Sequence, residues 1–163
     1  MIIFVMGVAG AGKSTVGEAL AQRMGWDFLD ADDLHPDANK QKMRAGIPLS
    51  DADRAPWLRS VAEHVKTFIH SNKNAVVACS LLKQQYRDLV FVSESRLVYL
   101  RLSRELAEER AKARHHAFMP ATLVASQYAD LQEPEDALMI DAAMPVERIV
   151  AIIISGLCLR PQS

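Results

Sequence analysis

The sequence has 163 residues, of which half are apolar and 24 % are charged, the size and composition of one soluble globular domain. Its formal net charge of −1 gives no electrostatic reason to expect a nucleic acid or an anionic membrane as a partner. Any anion that the protein binds must therefore be captured by a local arrangement of donors.

Short β-branched runs alternate with helical patterns along the whole chain. Strands are predicted at residues 2–6, 27–29, 75–80, 97–102 and 137–140, and helices at 14–24, 36–45, from 51 onward, 82–92, 104–115, 120–129 and 145–157. Most of these strands are apolar without alternation, as expected for parallel strands covered on both faces. We predict one α/β domain, residues 1–163, with an open, mostly parallel five-stranded sheet and helices on both faces.

Three further features concern the location of the protein, its cysteines and its last helix. Residues 1–13 lack the basic stretch and cleavage site of a signal peptide, and the longest apolar run, residues 149–159, is well short of the roughly 20 residues that span a bilayer. We therefore expect a cytoplasmic protein.

Cys79 and Cys158 lie inside apolar runs, which predicts buried, reduced thiols. The last helix is apolar nearly all round, which predicts burial in its own domain, with a subunit contact as the alternative.

Residues 7–15, GVAGAGKST, match the phosphate-binding pattern G-x-x-x-x-G-K-[ST] and lie between the first predicted strand and the first predicted helix. Glycines let such a loop wrap with its N–H groups inward, and the following helix adds the positive end of its dipole. We expect Lys13 to reach the β- and γ-phosphates and the Ser14 hydroxyl to ligate Mg²⁺. The predicted nucleoside triphosphate site consists of Gly7, Val8, Ala9, Gly10, Ala11, Gly12, Lys13, Ser14 and Thr15.

The pattern of a guanine-nucleotide switch is absent from the sequence. Residues 72–75, NKNA, fail the N-K-x-D pattern that reads guanine, and no D-x-x-G segment occurs in the chain. A kinase needs a second metal contact, an acceptor pocket, cations for the transferring phosphoryl group and a cover that excludes water, and each of these has a candidate.

Residues 29–36, LDADDLHP, place three aspartates within four positions after a short apolar stretch. Like charges this close repel, so we expect them to meet a cation or a proton. Two strand ends offer a carboxylate for Mg²⁺, Asp30 and Asp141, and Asp30 is favoured because an extended segment places Asp32 on the same face. One carboxylate then serves Mg²⁺ while the other accepts a proton from the attacking hydroxyl. The alternative is a solvated acidic turn, a role that suits Asp33.

Several separated segments together resemble the gluconate kinase family of small P-loop enzymes, which is related to shikimate kinase and the nucleoside monophosphate kinases. They are DADDLHP (30–36), NKQKMRAGIPLSDADRAPWL (39–58), CSLLKQQYRD (79–88) and FMPATLVASQYADLQEP (118–134). The resemblance covers residues 7 to about 134. It implies a nucleoside monophosphate kinase-like fold that phosphorylates D-gluconate at its 6-hydroxyl with ATP, often as a homodimer. It also places Asp30 near Mg²⁺ and Asp32 near the acceptor hydroxyl.

A pocket for a small polyhydroxy acid needs cations and hydrogen-bonding groups, and these are expected beyond the carboxyl ends of the strands. The candidates for substrate contact are His35, Arg54, Lys83, Tyr86 and Arg87. An ion pair with a neighbouring aspartate (Asp51 or Asp53 for Arg54, and Asp88 for Arg87) is the alternative for both arginines, and a local cap is the alternative for His35. Trp57 is assigned to the core.

Arg110 and Arg114 lie four positions apart on one face of a predicted helix. The resemblance makes residues 110–125, approximately, a lid over ATP, with these arginines meeting the phosphates. The alternative is a solvated face paired with Glu108 and Glu109. The family usually continues as RKGHF, whereas residues 114–118 are RHHAF, and Phe91 stands where the family commonly has arginine. We therefore assign no role to the lid histidines.

Two other functions share part of this pattern. A shikimate kinase also has the P-loop, paired aspartates and an arginine lid, but the HP pair after the aspartates and the DRAPWL segment disfavour it. A regulatory module that binds nucleotide without catalysis has no use for the paired aspartates.

Overall fold

The computed structural model describes residues 1–113 and 123–161. Its five strands are β1 (Ile2–Met6), β2 (Asp27–Asp30), β3 (Ala75–Ala78), β4 (Ser95–Arg101) and β5 (Leu138–Asp141). The helices are α1 (Lys13–Met24), α2 (Asp37–Arg44), α3 (Asp51–His70), α4 (Gln84–Val90), α5 (Arg104–Ala113), α6 (Val124–Asp130) and α7 (Val146–Gly156). A short 3₁₀ helix, Ala31–Leu34, follows β2.

All four strand pairings are parallel, and the strand order is β2-β3-β1-β4-β5. The central strand β1 is fully buried, so both of its faces need a helical layer. Ile3 and Val5 pack in one core with residues of α1 and α7. Ile2, Phe4 and Met6 pack on the other face with residues of α3 and α4. The predicted α/β sheet with helices on both faces is confirmed.

The sheet order positions the site. Strand β3 pairs with both β1 and β2, so the carboxyl ends of these three strands meet at one edge of the sheet. The phosphate loop follows β1 at this edge, and the acidic segment follows β2. Ligands of open α/β sheets bind at this edge, as expected from the sequence.

Three local predictions differ from the structure. The acidic segment forms a 3₁₀ helix instead of an extended strand end, because the Asp30 side chain accepts a hydrogen bond from the backbone N–H of Asp32 and caps the turn. Strand β3 ends at Ala78, two residues early, and the chain turns through a left-handed Leu81 with φ of 46°. Cys79 is buried as predicted, but Cys158 is exposed because it lies in a left-handed turn (φ of 53°) beyond the last helix.

Helix α7 is buried along one face through Ile149, Val150 and Ile153, while Ile152 and Ile154 are half-buried. The predicted packing of this helix against its own domain is therefore confirmed for that face. Within residues 1–113 and 123–161, no helix has both the length and the apolar character needed to cross a membrane.

Helix α3 begins with a capping box that orients its first turn toward the site. The Ser50 hydroxyl accepts a hydrogen bond from the Asp53 N–H (3.1 Å), and the Asp53 carboxylate accepts one from the Ser50 N–H (2.9 Å). Lys42 of α2 also binds the Asp53 carboxylate, at 3.0 Å. The start of α3 and the preceding helix are thus fixed together.

We predict that Ser50→Ala lowers the free energy of unfolding by about 1 kcal/mol, because the Asp53 N–H loses its acceptor at a helix N-terminus. In a protein of this size the melting temperature should fall by roughly 2–4 °C. Chemical and thermal denaturation measure both values. Ser60→Ala, in the interior of the same helix, is the control and should be nearly neutral. Equal losses in the two variants would contradict the capping role.

Candidate active site

A cavity of about 240 Å³ opens at the carboxyl ends of β1, β2 and β3. Its wall combines the phosphate loop, the 3₁₀ helix, the first turns of α3 and the start of α6. The described residues that line it are Ala9, Gly10, Gly12, Lys13, Ser14, Thr15, Asp32, His35, Met43, Pro48, Leu49, Arg54, Trp57, Ser80, Leu82, Ala111, Leu123, Ser126 and Gln127.

The phosphate loop leaves open space in front of helix α1. Gly12 precedes the helix in a left-handed conformation (φ of 86°), and no described side chain caps the helix N-terminus. A Cβ atom placed on Gly12 would meet nothing within 4 Å, whereas one on Gly7 would approach the Leu100 carbonyl to 2.8 Å. The first glycine therefore permits close packing against β4, and the second leaves the positive end of the α1 dipole accessible to an anion.

Three side chains from different parts of the chain hold the phosphate loop. The Lys13 ammonium donates to the Val8 carbonyl at 3.0 Å. Arg110 of α5 donates to the Gly10 carbonyl at 2.8 Å and, through its second terminal nitrogen, to the Ala142 carbonyl at 3.2 Å. Gln127 of α6 accepts a hydrogen bond from the Ala9 N–H at 2.6 Å.

The predicted carboxylates lie beside the loop. The Ser14 hydroxyl donates a short hydrogen bond to the Asp30 carboxylate, which also accepts the Asp32 N–H at 3.0 Å. Asp32 and Asp33 are both exposed, but only Asp32 belongs to the described wall of the cavity. Hydrogen bonds bring Ser14, Asp30 and the backbone of Asp32 together, although Asp30 itself, like the exposed Asp141 at the end of β5, is not among the lining residues.

The protein around Asp32 changes its proton affinity. Desolvation raises the pKa of this carboxyl, the Lys13 ammonium opposes the rise, and the negative charges of Asp30 and Asp33 add to it. A carboxylate that is more basic than usual and open to the cavity is suited to accept a proton.

His35 is buried in the wall as a neutral ring. It is 7 % exposed and stacks on Trp57 with ring centroids 4.1 Å apart, and its Nδ1 lies 3.3 Å from the Asn39 amide nitrogen. Burial, and then the charge of Arg54, lower the pKa of His35 from 6.5 to about 4. Trp57 donates to the Ala31 carbonyl at 2.6 Å, so it belongs to the core as predicted and also lines the cavity.

Arg54 lies in the wall, and its partner differs from both predicted alternatives. Its Nη1 donates to the Tyr86 hydroxyl at 2.9 Å and to the Asp130 carboxylate of α6 at 3.1 Å, so pairing with Asp51 or Asp53 was the wrong alternative. The Tyr86 hydroxyl in turn donates a short hydrogen bond to Asp51. Arg54 is therefore oriented by groups from α4 and α6.

Lys83 and Arg87 are outside the described wall of the cavity. Lys83 donates to Asp51 at 2.9 Å, and its ammonium lies over the Tyr86 ring, 5.7 Å from the centroid. Arg87 is 3 % exposed, and its guanidinium donates to the Leu81 carbonyl at 2.8 Å and to the Gln84 side chain at 2.9 Å. Substrate contact was predicted for both residues, but Arg87 instead stabilises the turn after β3, and the predicted alternative, an ion pair with Asp88, is not the contact observed.

Arg114 and most of the predicted lid lie outside the described residues. Arg110 is described, and it contacts the backbone of the phosphate loop instead of lining the cavity among the described residues. Gln127 was missed by the sequence patterns. The sequence feature that could have indicated it is a polar residue, Gln127, on the same face of α6 as the buried Val124.

Comparisons with known proteins agree with this geometry. The family model described as shikimate kinase matches residues 9–144. The thermoresistant gluconokinase of Escherichia coli (strain K12) is 38 % identical over 156 residues, which cover 92 % of this chain and 89 % of that protein. The gluconokinase of Gluconobacter oxydans (strain 621H) is 41 % identical over 136 residues, covering 82 % of this chain and 76 % of that protein.

A solved structure extends the agreement to the fold. The crystal structure of a gluconokinase from Sinorhizobium meliloti 1021 is 40 % identical, has a TM-score of 0.84, and the match covers 96 % of this chain and 90 % of that one. This chain belongs to the gluconokinase family of P-loop kinases, which is related to the shikimate kinases.

Proposed function

We propose that this protein transfers the γ-phosphoryl group of ATP to the 6-hydroxyl of D-gluconate, giving 6-phospho-D-gluconate and ADP. The observation that carries the proposal is a single cavity whose wall joins the phosphate loop to Asp32 and Arg54. A triphosphate and a small acid bound in this cavity would meet at the Asp32 carboxylate. The similarity to gluconokinases supports gluconate as that acid.

The residues at the loop fit ATP and Mg²⁺. The uncapped N-terminus of α1, the open space beside Gly12 and the Lys13 ammonium suit the β- and γ-phosphates. Ser14 and Asp30 offer the hard oxygen donors that Mg²⁺ prefers, and we assign the metal to them. When bound, Mg²⁺ would neutralise charge on the phosphates. No group of three or more His, Cys, Asp or Glu in residues 1–113 and 123–161 could hold a metal, as expected where substrate phosphates complete its shell.

Asp32 is the base in this proposal. Its carboxylate lines the cavity, its pKa is raised by desolvation, and Lys13 keeps a positive charge close by. It would orient the 6-hydroxyl and accept its proton as the oxygen attacks the γ-phosphorus. The raised proton affinity favours that transfer.

Arg54 and His35 form the acceptor side. Arg54 supplies a fixed positive charge for the gluconate carboxylate, held in place by Tyr86 and Asp130. His35 is neutral near pH 7, so it contacts hydroxyl groups without adding charge. Lys83 acts on this wall through Asp51 and Tyr86, and Arg87 acts through the turn that carries Leu82.

Arg110 of α5 and Arg114, which follows α5 in the sequence, have different roles in the proposal. Arg110 contributes through the loop backbone that it holds. Phosphate contact by Arg114, closure of the lid, cytoplasmic localisation and a homodimer remain predictions from the sequence and the family resemblance.

We predict that ADP release depends on gluconate when the protein is assayed with MgATP and a panel of gluconate, shikimate, glycerate and nucleoside monophosphates. A coupled pyruvate kinase and lactate dehydrogenase assay measures the rate. Shikimate is included because the chain matches the shikimate kinase family model. Stimulation by shikimate instead of gluconate would reassign the substrate. No stimulation by any acceptor would favour a non-catalytic nucleotide-binding module.

We predict that Asp32→Asn lowers kcat with gluconate by roughly 10²- to 10⁴-fold, the contribution typical of a general base, while binding of MgADP is retained. Asp33→Asn is the matched control, because this adjacent aspartate is exposed like Asp32 but lies outside the described cavity wall. Steady-state kinetics and calorimetric titration measure the two effects. Near-normal turnover of Asp32→Asn would remove this residue from the mechanism.

We predict that His35 makes the protein less stable as the pH falls from about 6.5 to about 4. Unfolded His35 binds a proton near its ordinary pKa of 6.5, whereas the folded residue binds one only near pH 4, so protonation favours the unfolded chain in this window. The slope attributable to this residue reaches at most about 1.4 kcal/mol per pH unit.

Urea denaturation across this pH range compares the wild type with His35→Gln. The variant should lose less stability than the wild type, and the difference isolates His35 from carboxylates such as Asp32, whose raised pKa acts in the opposite direction. His70→Gln, at the exposed end of α3, is the control for a histidine-to-glutamine change outside the described cavity wall. Identical slopes in the wild type and His35→Gln would show that the ring does not titrate as described.

A further inference from the structure

Gln127 is a buried polar side chain in the cavity wall. It is 7 % exposed, lies on α6 and accepts the N–H of Ala9 at 2.6 Å across 118 positions of the chain. Burying an amide costs free energy unless its polar atoms are hydrogen-bonded. This contact therefore fixes the conformation of the Gln127 side chain and of the loop segment at Ala9.

The contact differs in kind from the other two that hold the phosphate loop. Lys13 and Arg110 donate hydrogen bonds to the carbonyl oxygens of Val8 and Gly10. Gln127 instead binds an N–H group, the kind of donor that such a loop uses for phosphate. It therefore controls the direction of one donor and, with it, the curvature of the loop at Ala9.

Helix α6 also contacts the acceptor side of the cavity. Asp130 lies three positions after Gln127, on the same side of the helix, and accepts a hydrogen bond from Arg54 at 3.1 Å. One short helix thus contacts the phosphate loop through Gln127 and the acceptor side of the cavity through Asp130. Helix α6 therefore connects the phosphate loop to Arg54.

We infer that Gln127 is a positioning residue for nucleotide binding, acting through the backbone of Ala9. By holding this N–H it keeps the phosphate loop in one curvature before the nucleotide arrives, so less ordering is required on binding. The inference rests on the proposed function, because it assumes that the loop binds ATP.

The test is Gln127→Met, which keeps the length of the side chain and removes the acceptor. Leaving the Ala9 N–H without this partner should raise the Kd for MgADP about tenfold in calorimetric titration, the scale of one lost buried hydrogen bond. The KM for gluconate should stay within about twofold, and amide exchange at Ala9 should accelerate.

Gln132→Met is the matched control. The Gln132 side chain also accepts a backbone N–H, that of Gln84 at 2.7 Å, but lies outside the described cavity wall. It should lose stability without a change in the Kd for MgADP. If Gln127→Met fails to fold, Gln127→Ala decides, since it also removes the acceptor of the Ala9 N–H and introduces no charge. Its Kd for MgADP should then rise to a similar extent.

The outcomes separate the inference from the proposed function. Wild-type affinity for MgADP in Gln127→Met, or in Gln127→Ala where Met does not fold, overturns the inference alone. An equal loss of affinity in Gln132→Met also overturns it, because the effect would then follow from stability. Failure of the unmodified protein to bind MgADP overturns the proposed function and the inference together.

Discussion

The hydrogen bond from the Ser14 hydroxyl to the Asp30 carboxylate joins the two chain segments on which the site depends. Ser14 belongs to the first turn of α1, and Asp30 is the last residue of β2, yet β1 and β2 are not neighbours in the sheet. Strand β3 lies between them, and its parallel pairing with both brings their carboxyl ends to the same edge. Without that strand order, the phosphate loop and the acidic segment could not share a cavity.

The same contact explains why the acidic segment is tolerated. Asp30 uses its carboxylate to bind Ser14 and to cap the 3₁₀ helix, which leaves Asp32 facing the cavity near Lys13. The like charges are thus placed in two environments, and desolvation raises the pKa of the Asp32 carboxyl. In the proposed function, Asp30 would hold the metal while Asp32 would accept a proton.

The features that could be predicted from the sequence are local or depend on one strand and the turn after it. The phosphate loop, the first turn of α3 and the position of Asp30 are of this kind. The contacts of Arg54 with Asp130 and of Ala9 with Gln127 connect residues 76 and 118 positions apart, and no short-range pattern encodes them. Arg87 makes only local contacts, yet its role could not be predicted either. An arginine at this position suits both substrate contact and stabilisation of a turn, and only the fold of residues 81–84 decides between the two roles.

The acceptor wall is balanced in charge before any substrate enters. Arg54 is only 12 % exposed, and an unpaired cation at that depth would be strongly destabilising, so Asp130 serves as its partner in the free protein. Both hydrogen bonds that Arg54 donates within the described part of the chain use the same terminal nitrogen, Nη1, so they fix one end of a planar, five-donor group. In the proposed function, a substrate carboxylate would share a guanidinium that is already oriented, so the protein would not need to reorganise this cation as the acid binds.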